Sequence, residues 1–509
     1  MRPIEGLYQL LNGILQAPRW WELPGPGLSP DVASPVAAVL AVVIPCLIAL
    51  GLVMGVAGAS TYIERKLAAD IQRRIGPNQC NVGSFFGAFM RAMVKNASDS
   101  RAGVFSKLMG LGSKLLLPLV DVVDKIVLKL APGAVIFMAD GLKLILKEDI
   151  VPDAVDKPLF KLAPAIVLAS AFGALVALPY SSAWYVADFN IGIFFIAAIT
   201  SLEVLGILMS GWASNNKWSL LGGMRSAAQI VSYELPVGLA IATGMLVCGT
   251  MSMQGMVYDQ LGISANGGVW ETWPRQWWLN GWFFQWNVFH PVMFILAPIY
   301  FLAALAECNR TPFDIPEAES ELVSGYHTEY SGMRFAFFFL AEYTMMIVVC
   351  GIAVTLFLGG WSTGIAPLER VLTTGFDANK LPVFNVWGTI IHLAAFGAKT
   401  YLLILLMMWI RWTIPRFRVD QMMTLCWKKL IPLGLMCFLA MAVWMLVRMG
   451  LAKKFGEQTI AQATFVLRAV FAVSVLAWLV WYFKKPMTPQ EKTQREVIAR
   501  ANLSVSPAK

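Results

Sequence analysis

The sequence predicts an all-α polytopic membrane protein, with about eight helical crossings and a ninth near the C-terminus. Three observations predict this. Of 509 residues, 58% are hydrophobic and only 14% are charged, against about 25% charged in soluble domains. The mean hydropathy is +0.64. The apolar residues gather in runs that reach the ~20 residues needed to cross a bilayer as a helix.

The runs follow in order at 36–62, 162–180, 188–212, 226–250, 288–307, 335–359, 387–412, 429–448 and 464–483. The first has no short apolar core with a cleavage site before it, so it is expected to stay as a helix. After it comes a connection of about a hundred residues, too long for a plain link. Its stretch 115–130, LLLPLVDVVDKIVLKL, sets Asp121, Asp124, Lys125 and Lys129 among apolar residues at helical spacing. That pattern suits a helix lying in the interface. The connection 251–287 is rich in Trp and is expected to lie along the outer membrane surface, where indoles prefer the headgroup zone. No internal repeat is visible. The chain therefore reads as one membrane domain, 1–509, with a long cytoplasmic-side segment at 80–135, a Trp-rich loop at 251–287, an acidic loop at 307–334 and a C-terminal segment at 450–509.

Lys and Arg set the expected orientation. Basic residues concentrate after the first, third, fifth and seventh runs, from Arg65, Lys66, Arg73 and Arg74 to Arg411, Arg416 and Arg418. Those loops are expected in the cytoplasm, with the N-terminus outside and the basic tail inside. Lys453 and Lys454 run against this pattern. The net charge of +9 follows from these loops, so nucleic acid is not expected as a partner.

Three constellations carry chemistry. The first is AECNRTPFDIPEAESELVSGYHTEYSG, which places Glu307, Arg310, Asp314, Glu317, Glu319, Glu321 and Glu329 between two crossings. Clustered carboxylates repel, and groups raised toward neutrality can relay protons. A solvated acidic loop is the alternative. The second is a set of ionisable residues inside crossings: Glu203, Glu234, Glu342 and Lys399, with His392 two turns before the lysine. A lone charge there costs roughly 2.5–3.5 kcal/mol on insertion scales, so these residues imply pairing, a hydrated path, or polar glue between helices. The third is ERKLAADIQRRIGPN, residues 64–78, whose Glu64, Arg65 and Arg73 sit at the membrane edge. They could hold a polar headgroup or an acidic partner, or serve only as positive-inside anchors.

Other signals fail. GLGSK at 110–114 lacks the upstream glycine of a phosphate loop, and no dinucleotide fingerprint is present. Seven cysteines without a C-x-x-C pair, and three scattered histidines, signal neither metal nor haem. No redox centre is expected on this chain; if it serves electron transfer, a partner brings the electrons.

These motifs, with MADGLKLILKEDIVPDAVDKPLFKLAP (138–164), GWASNNKWSLLGGMRSAAQIVSYE (211–234) and WIRWTIPRFRVDQMMTLCWK (409–428), resemble the quinone-chamber membrane component of bacterial respiratory complex I, the H subunit of NADH:quinone oxidoreductase. The resemblance implies a role in the bacterial inner membrane. Quinone (ubiquinone or menaquinone) would enter through this subunit as substrate. FMN and iron–sulfur clusters would sit on peripheral-arm partners, and small membrane and antiporter-like subunits would adjoin it. Arg65, Arg73, Arg310, Asp314, Glu317, Glu319, Glu321 and Glu329 would line or flank the chamber. Glu203, Arg225, Glu234 and Glu342 would form a proton relay, with Lys399 and Glu64 as possible additions. The chain departs from the family in the 80–135 insertion, the longer Trp-rich loop and the ninth crossing. A related subunit of an energy-converting hydrogenase is the first alternative. A stand-alone ion transporter is the second, disfavoured because such folds are commonly built from internal repeats.

Overall fold

The computed structural model describes residues 51, 55–77, 136–182, 185–261, 282–316, 319–376, 382–384, 386–455, 463–464, 466–475 and 477. Most of the first run, the 80–135 insertion with its 115–130 stretch, and the tail from 478 lie outside these residues. Helix α1 covers 55–71, and α2 is Ile136–Leu146. Next come α3 (Lys157–Leu175), α4 (Gly192–Thr200) and α5 (Leu202–Ala213). Helices α4 and α5 meet at Ser201 and together make one span. Helix α6 is Lys217–Cys248, α7 Met253–Gln260, α8 Pro291–Glu307 and α9 Glu319–Leu322. They are followed by α10 (Gly332–Phe357), α11 (Ala366–Leu372), α12 (Val386–Thr413) and α13 (Val419–Leu425). A single π-helical turn, Cys426–Leu430, joins α13 to α14, Ile431–Phe455. Helix α15 is Val466–Val475, the described part of the ninth run.

The all-α class holds. Six helical segments are long and apolar enough to cross a membrane among the described residues, and α8 and α15 are shorter apolar helices. The one sheet among them is a hairpin between α11 and α12, in which β1 (Thr373–Phe376) pairs antiparallel with β2 (Pro382–Phe384). Helix α10 lies at the centre, with 72% of its most apolar window buried, whereas only 22% of the Val419–Leu451 window is buried. Helices α3 and α12 pack most extensively against α10, with α2, α7 and α8 beside them, and α3, α6, α8 and α10 supply most of the core.

Prolines interrupt three of the central helices, at Pro164, Pro236 and Pro298, and for the first two the freed carbonyl finds a donor elsewhere in the chain. Proline has no N–H, so the carbonyl four residues earlier loses its helical donor. Pro164 in α3 frees the Phe160 carbonyl, which accepts the Tyr330 hydroxyl at 3.2 Å. Pro236 in α6 frees the Ser232 carbonyl, which accepts the Cys426 thiol at 3.1 Å. In hydrocarbon, an unpartnered carbonyl would be costly.

Close packing needs glycine at two places. A Cβ on Gly211 would lie 2.7 Å from the Ser219 carbonyl oxygen, so α5 and α6 can turn tightly against each other only without it. A Cβ on Gly222 would lie 2.8 Å from the Gly325 Cα, so the acidic loop rests its backbone directly on α6.

The described part of the 251–287 connection packs onto the bundle end, where Met253, Met256 and Val257 are buried. Trp270, Trp273, Trp277 and Trp278 lie outside the described residues. Arg468 of α15 donates to the Gln285 carbonyl at 2.9 Å, joining the ninth helix to this end.

Candidate functional site

Helix α1 carries the first run nine residues beyond its predicted end and brings Glu64 and Arg65 along its last turns. Here α1, α2, α10 and α12 enclose a cavity of about 840 Å³. Its walls are mostly apolar: Ala57, Gly58, Phe137, Leu144, Phe335, Phe339, Leu340 and Trp412. The polar groups on its wall include Glu64, Arg65, Asp140, Arg310, Tyr343 and Arg411. That size and composition, with a few convergent polar groups, are those of a site for an organic ligand.

The polar groups form one cluster. Arg310 is buried, with Nη1 3.4 Å from Glu64 Oε1 and Nε 2.6 Å from Glu342 Oε1. The second contact is a close ion pair whose N–H does not point along it. The guanidinium stacks over the Tyr343 ring, 4.5 Å from its centroid, and the Tyr343 hydroxyl donates to Glu64 Oε2 at 2.8 Å. Arg411 reaches across from α12 to pair with Glu64. Two guanidinium groups thus face two carboxylates at a low-dielectric wall, where charge is tolerated only when matched. Arg310 Nη2 is buried with no acceptor among the described residues.

The remaining candidates fall into separate positions. Arg65 pairs with Asp140 at 2.6 Å. Arg74 lines the cavity, whereas Arg73 sits in a left-handed conformation just past α1. Asp314 pairs with Arg416 at 3.0 Å, behind the cluster and within electrostatic reach of Glu342. Glu321 pairs with Arg225 of α6 at 2.8 Å, and Glu329 accepts from Asn216 at 2.7 Å. These two bonds tie the acidic loop to the start of α6, away from the cavity lining. Glu317 lies outside the described residues, and of Glu319 only the backbone is described, at the start of α9. His327 is packed among Tyr326, Phe335, Phe338 and Phe339, and burial pushes its imidazole down to about 3. It therefore stays neutral and serves as an anchor for the loop.

From the cluster a series of carboxylates leads into the bundle. Glu203, in the first turn of α5, lies within electrostatic reach of both Glu342 and Glu307. Glu307, the last residue of α8, in turn reaches Glu234 of α6. The order is Glu342, Glu203, Glu307, Glu234. Sequence reasoning placed Glu307 only in the acidic loop. Its position as the last residue of an apolar run was the signal for a place in this series.

Lys399 and His392 belong to neither group. They lie two turns apart on α12, toward the opposite end of the bundle. Lys399 Nζ donates to the Leu358, Gly360 and Ser362 carbonyls at 2.7, 3.1 and 2.6 Å, and lies 4.0 Å from the Trp286 ring centroid. It caps the C-terminal end of α10, where carbonyls have no helical donor. His392 bridges Glu369 Oε2 at 2.9 Å and Ser182 Oγ at 3.0 Å. Glu369, which sequence reasoning missed, also accepts from the Thr363 backbone N–H at 2.7 Å and hydroxyl at 2.8 Å. Burial alone would raise its carboxyl, but the bonds from His392 and Thr363 outweigh this and hold it below the usual range.

Residues 127–443, more than half of the chain, match the family described as NADH dehydrogenase. The chain is 46% identical over 318 residues to the H subunit of NADH-quinone oxidoreductase from Anaeromyxobacter dehalogenans, covering 62% of this chain and 72% of the relative. It is 45% identical over 310 residues to the protein of that name from Chlorobaculum tepidum, covering 61% and 79%. The corresponding protein of Bacteroides thetaiotaomicron is 42% identical over 313 residues, covering 61% and 78%. With its polytopic α-helical bundle and a family match that runs from before α2 into α14, this chain belongs to the NADH dehydrogenase family, that of the H subunit of NADH-quinone oxidoreductase.

Proposed function

We propose that this chain is the membrane component of a proton-translocating NADH:quinone oxidoreductase that forms the quinone chamber and passes the charge of quinone reduction into the bilayer through carboxylates. The single observation that carries this reading is the apolar cavity with the Glu64–Arg310–Glu342–Tyr343–Arg411 cluster on its wall. An isoprenoid tail suits the Phe- and Leu-lined part. A quinone carbonyl suits the buried Arg310 Nη2, the donor with no acceptor among the described residues.

Reduction of a quinone to a quinol takes two electrons and two protons. The electrons come from FMN and iron–sulfur clusters on peripheral-arm subunits docked against the acidic loop. Until protons arrive, the added negative charge acts strongly across a low-dielectric wall. It competes with Glu64 and Glu342 for Arg310 and Arg411. A carboxylate released from its guanidinium takes up a proton more readily. Glu342, Glu203, Glu307 and Glu234 then hand the disturbance inward, toward antiporter-like subunits. Arg65 flanks the entrance. Arg73, Glu317 and Glu319 complete the chamber rim, while Asp314, Glu321 and Glu329, tied by Arg416, Arg225 and Asn216, hold the loop in place. The chain sits in a bacterial inner membrane, with the acidic loop in the cytoplasm and the N-terminus outside. The 80–135 insertion and the 450–509 extension make additional membrane or subunit contacts.

The test is carried out in membranes with the assembled complex. Glu342→Gln and Arg310→Lys are expected to lower inhibitor-sensitive quinone reduction about tenfold or more, as befits lost charge-assisted bonds. NADH oxidation by an artificial acceptor, which bypasses the chamber, should persist. Unchanged quinone kinetics in both variants would overturn the assignment.

A further inference from the structure

A second cleft lies on the acidic-loop face, where the Gly192–Ala213 span ends and the Lys217–Cys248 span begins. It measures about 730 Å³, shares no lining residue with the first cavity, and is bordered by Asp156, Trp212, Asn215, Asn216, Lys217 and Leu220. Asp156 and Lys217 bring opposite charges to it. Neither makes an ion pair among the described residues, with the other or with a third group; Lys217 only lies over the Trp218 ring at 5.1 Å. The Asn215 amide donates to the Ala154 carbonyl, which leaves its own side-chain oxygen as an acceptor.

Below the cleft, two helix faces carry exposed apolar residues. On α5 these are Leu205, Leu208 and Trp212; on α6 they are Leu220, Met224 and Val231. The spacings of three, four and seven put each set on one face. Leu220 to Val231 covers roughly 16 Å at 1.5 Å per residue, close to the ~15 Å depth of one leaflet of hydrocarbon. Trp212, 69% exposed at the span's end, sits where indoles mark the membrane boundary.

We propose that this cleft holds the headgroup of a zwitterionic phospholipid, phosphatidylethanolamine, with its acyl chains along these two faces. Lys217 takes the phosphate. Asp156 and the Asn215 side-chain oxygen take the ammonium, whose three N–H donors need acceptors that a quaternary choline could not use. An anionic lipid would meet Asp156 without compensation. The apolar faces run on to leaflet depth below the charged rim, which suits a lipid better than a polar subunit segment.

The assembled complex is placed in phosphatidylcholine nanodiscs with trace phosphatidylethanolamine bearing a photoreactive acyl chain, and crosslinked peptides are mapped by mass spectrometry. Label is expected in 205–212 and 220–231, several-fold above that from a matched phosphatidylglycerol probe. Lys217→Gln should reduce labelling about tenfold, the size of one charge-assisted bond, and Asp156→Asn should abolish the preference over phosphatidylglycerol. Lys217 is exposed and outside the first cavity, so Lys217→Gln decides the matter even if Asp156→Asn impairs assembly. Equal labelling by both lipids, label unchanged in Lys217→Gln, or crosslinks to another subunit with no lipid would each overturn the proposal.

Discussion

At the scale of single residues, Arg310 and Glu369 show how charge persists in an apolar bundle. Arg310 satisfies Glu64, Glu342 and the Tyr343 ring together. Only a planar guanidinium can do all three, because lysine is a point charge without a stacking face. Arg310→Met would leave two carboxylates buried beside a single remaining partner. Breaking a buried pair costs roughly 3–5 kcal/mol, so the amount of assembled complex should fall steeply, read as subunit content in membranes. Glu369 makes a different prediction. Its carboxyl is depressed in the folded state, so its stabilisation is present above the unfolded value of about 4.3. It is lost as pH falls through the lower folded value. Thermal denaturation of the parent should therefore become easier on acidification below about pH 4.3. Glu369→Gln should be less stable than the parent at pH 7 and lose less on acidification; the same acid slope in both would remove Glu369 from the account.

At the scale of elements, broken helical hydrogen bonds are repaired from distant parts of the chain. Pro164 and Tyr330 act as a pair, since the Tyr330 hydroxyl serves the carbonyl that proline left open. Tyr330→Phe should lower stability by about 1–3 kcal/mol, the cost of a buried unsatisfied acceptor. In a Pro164→Ala background the alanine N–H can take over the Phe160 carbonyl, so the same change should cost less. Thermal unfolding of the four proteins gives the coupling directly, and additive effects would show that the bond is idle. The apolar runs were legible as elements because hydrocarbon thickness sets a length that local composition reveals. Their ends were less legible. Helix α6 starts nine residues before its apolar run, at Lys217, because Asn216 caps it by accepting from the Trp218 N–H. Helix α14 continues to Phe455, past Arg448 and into Lys453 and Lys454, since long basic side chains can carry their charge out to the interface.

At the scale of the whole molecule, α12 joins two ends with different chemistry. One end puts Arg411 on the cavity cluster, and toward the other end Lys399 caps α10 and His392 meets Glu369. The carboxylates Glu342, Glu203, Glu307 and Glu234, each within electrostatic reach of the next, link α10, α5, α8 and α6. Glu203→Gln removes one member without touching the cavity lining. Quinone reduction in uncoupled membranes should stay within about twofold of the parent, since no cavity contact is lost, while the proton gradient formed per NADH oxidised falls sharply. Full proton translocation in that variant would remove Glu203 from the proposed relay.

The sequence by itself determined the class of the molecule, the order of its apolar runs, its family and the kinds of residue at the site. Run length, charge spacing and motif are local properties, and each can be read without knowing what lies beside it. Tertiary structure decided which charges meet. Glu64 and Arg310 are 246 residues apart, and no spacing rule reaches that far. Glu321 and Glu329 stand in the same acidic loop as Asp314, yet helix rotation and the Gly222 contact turn them toward α6, and Asp314 toward Arg416. The partners of Lys399 could not be named from the sequence, because they are backbone carbonyls, which every residue carries and no sequence pattern marks.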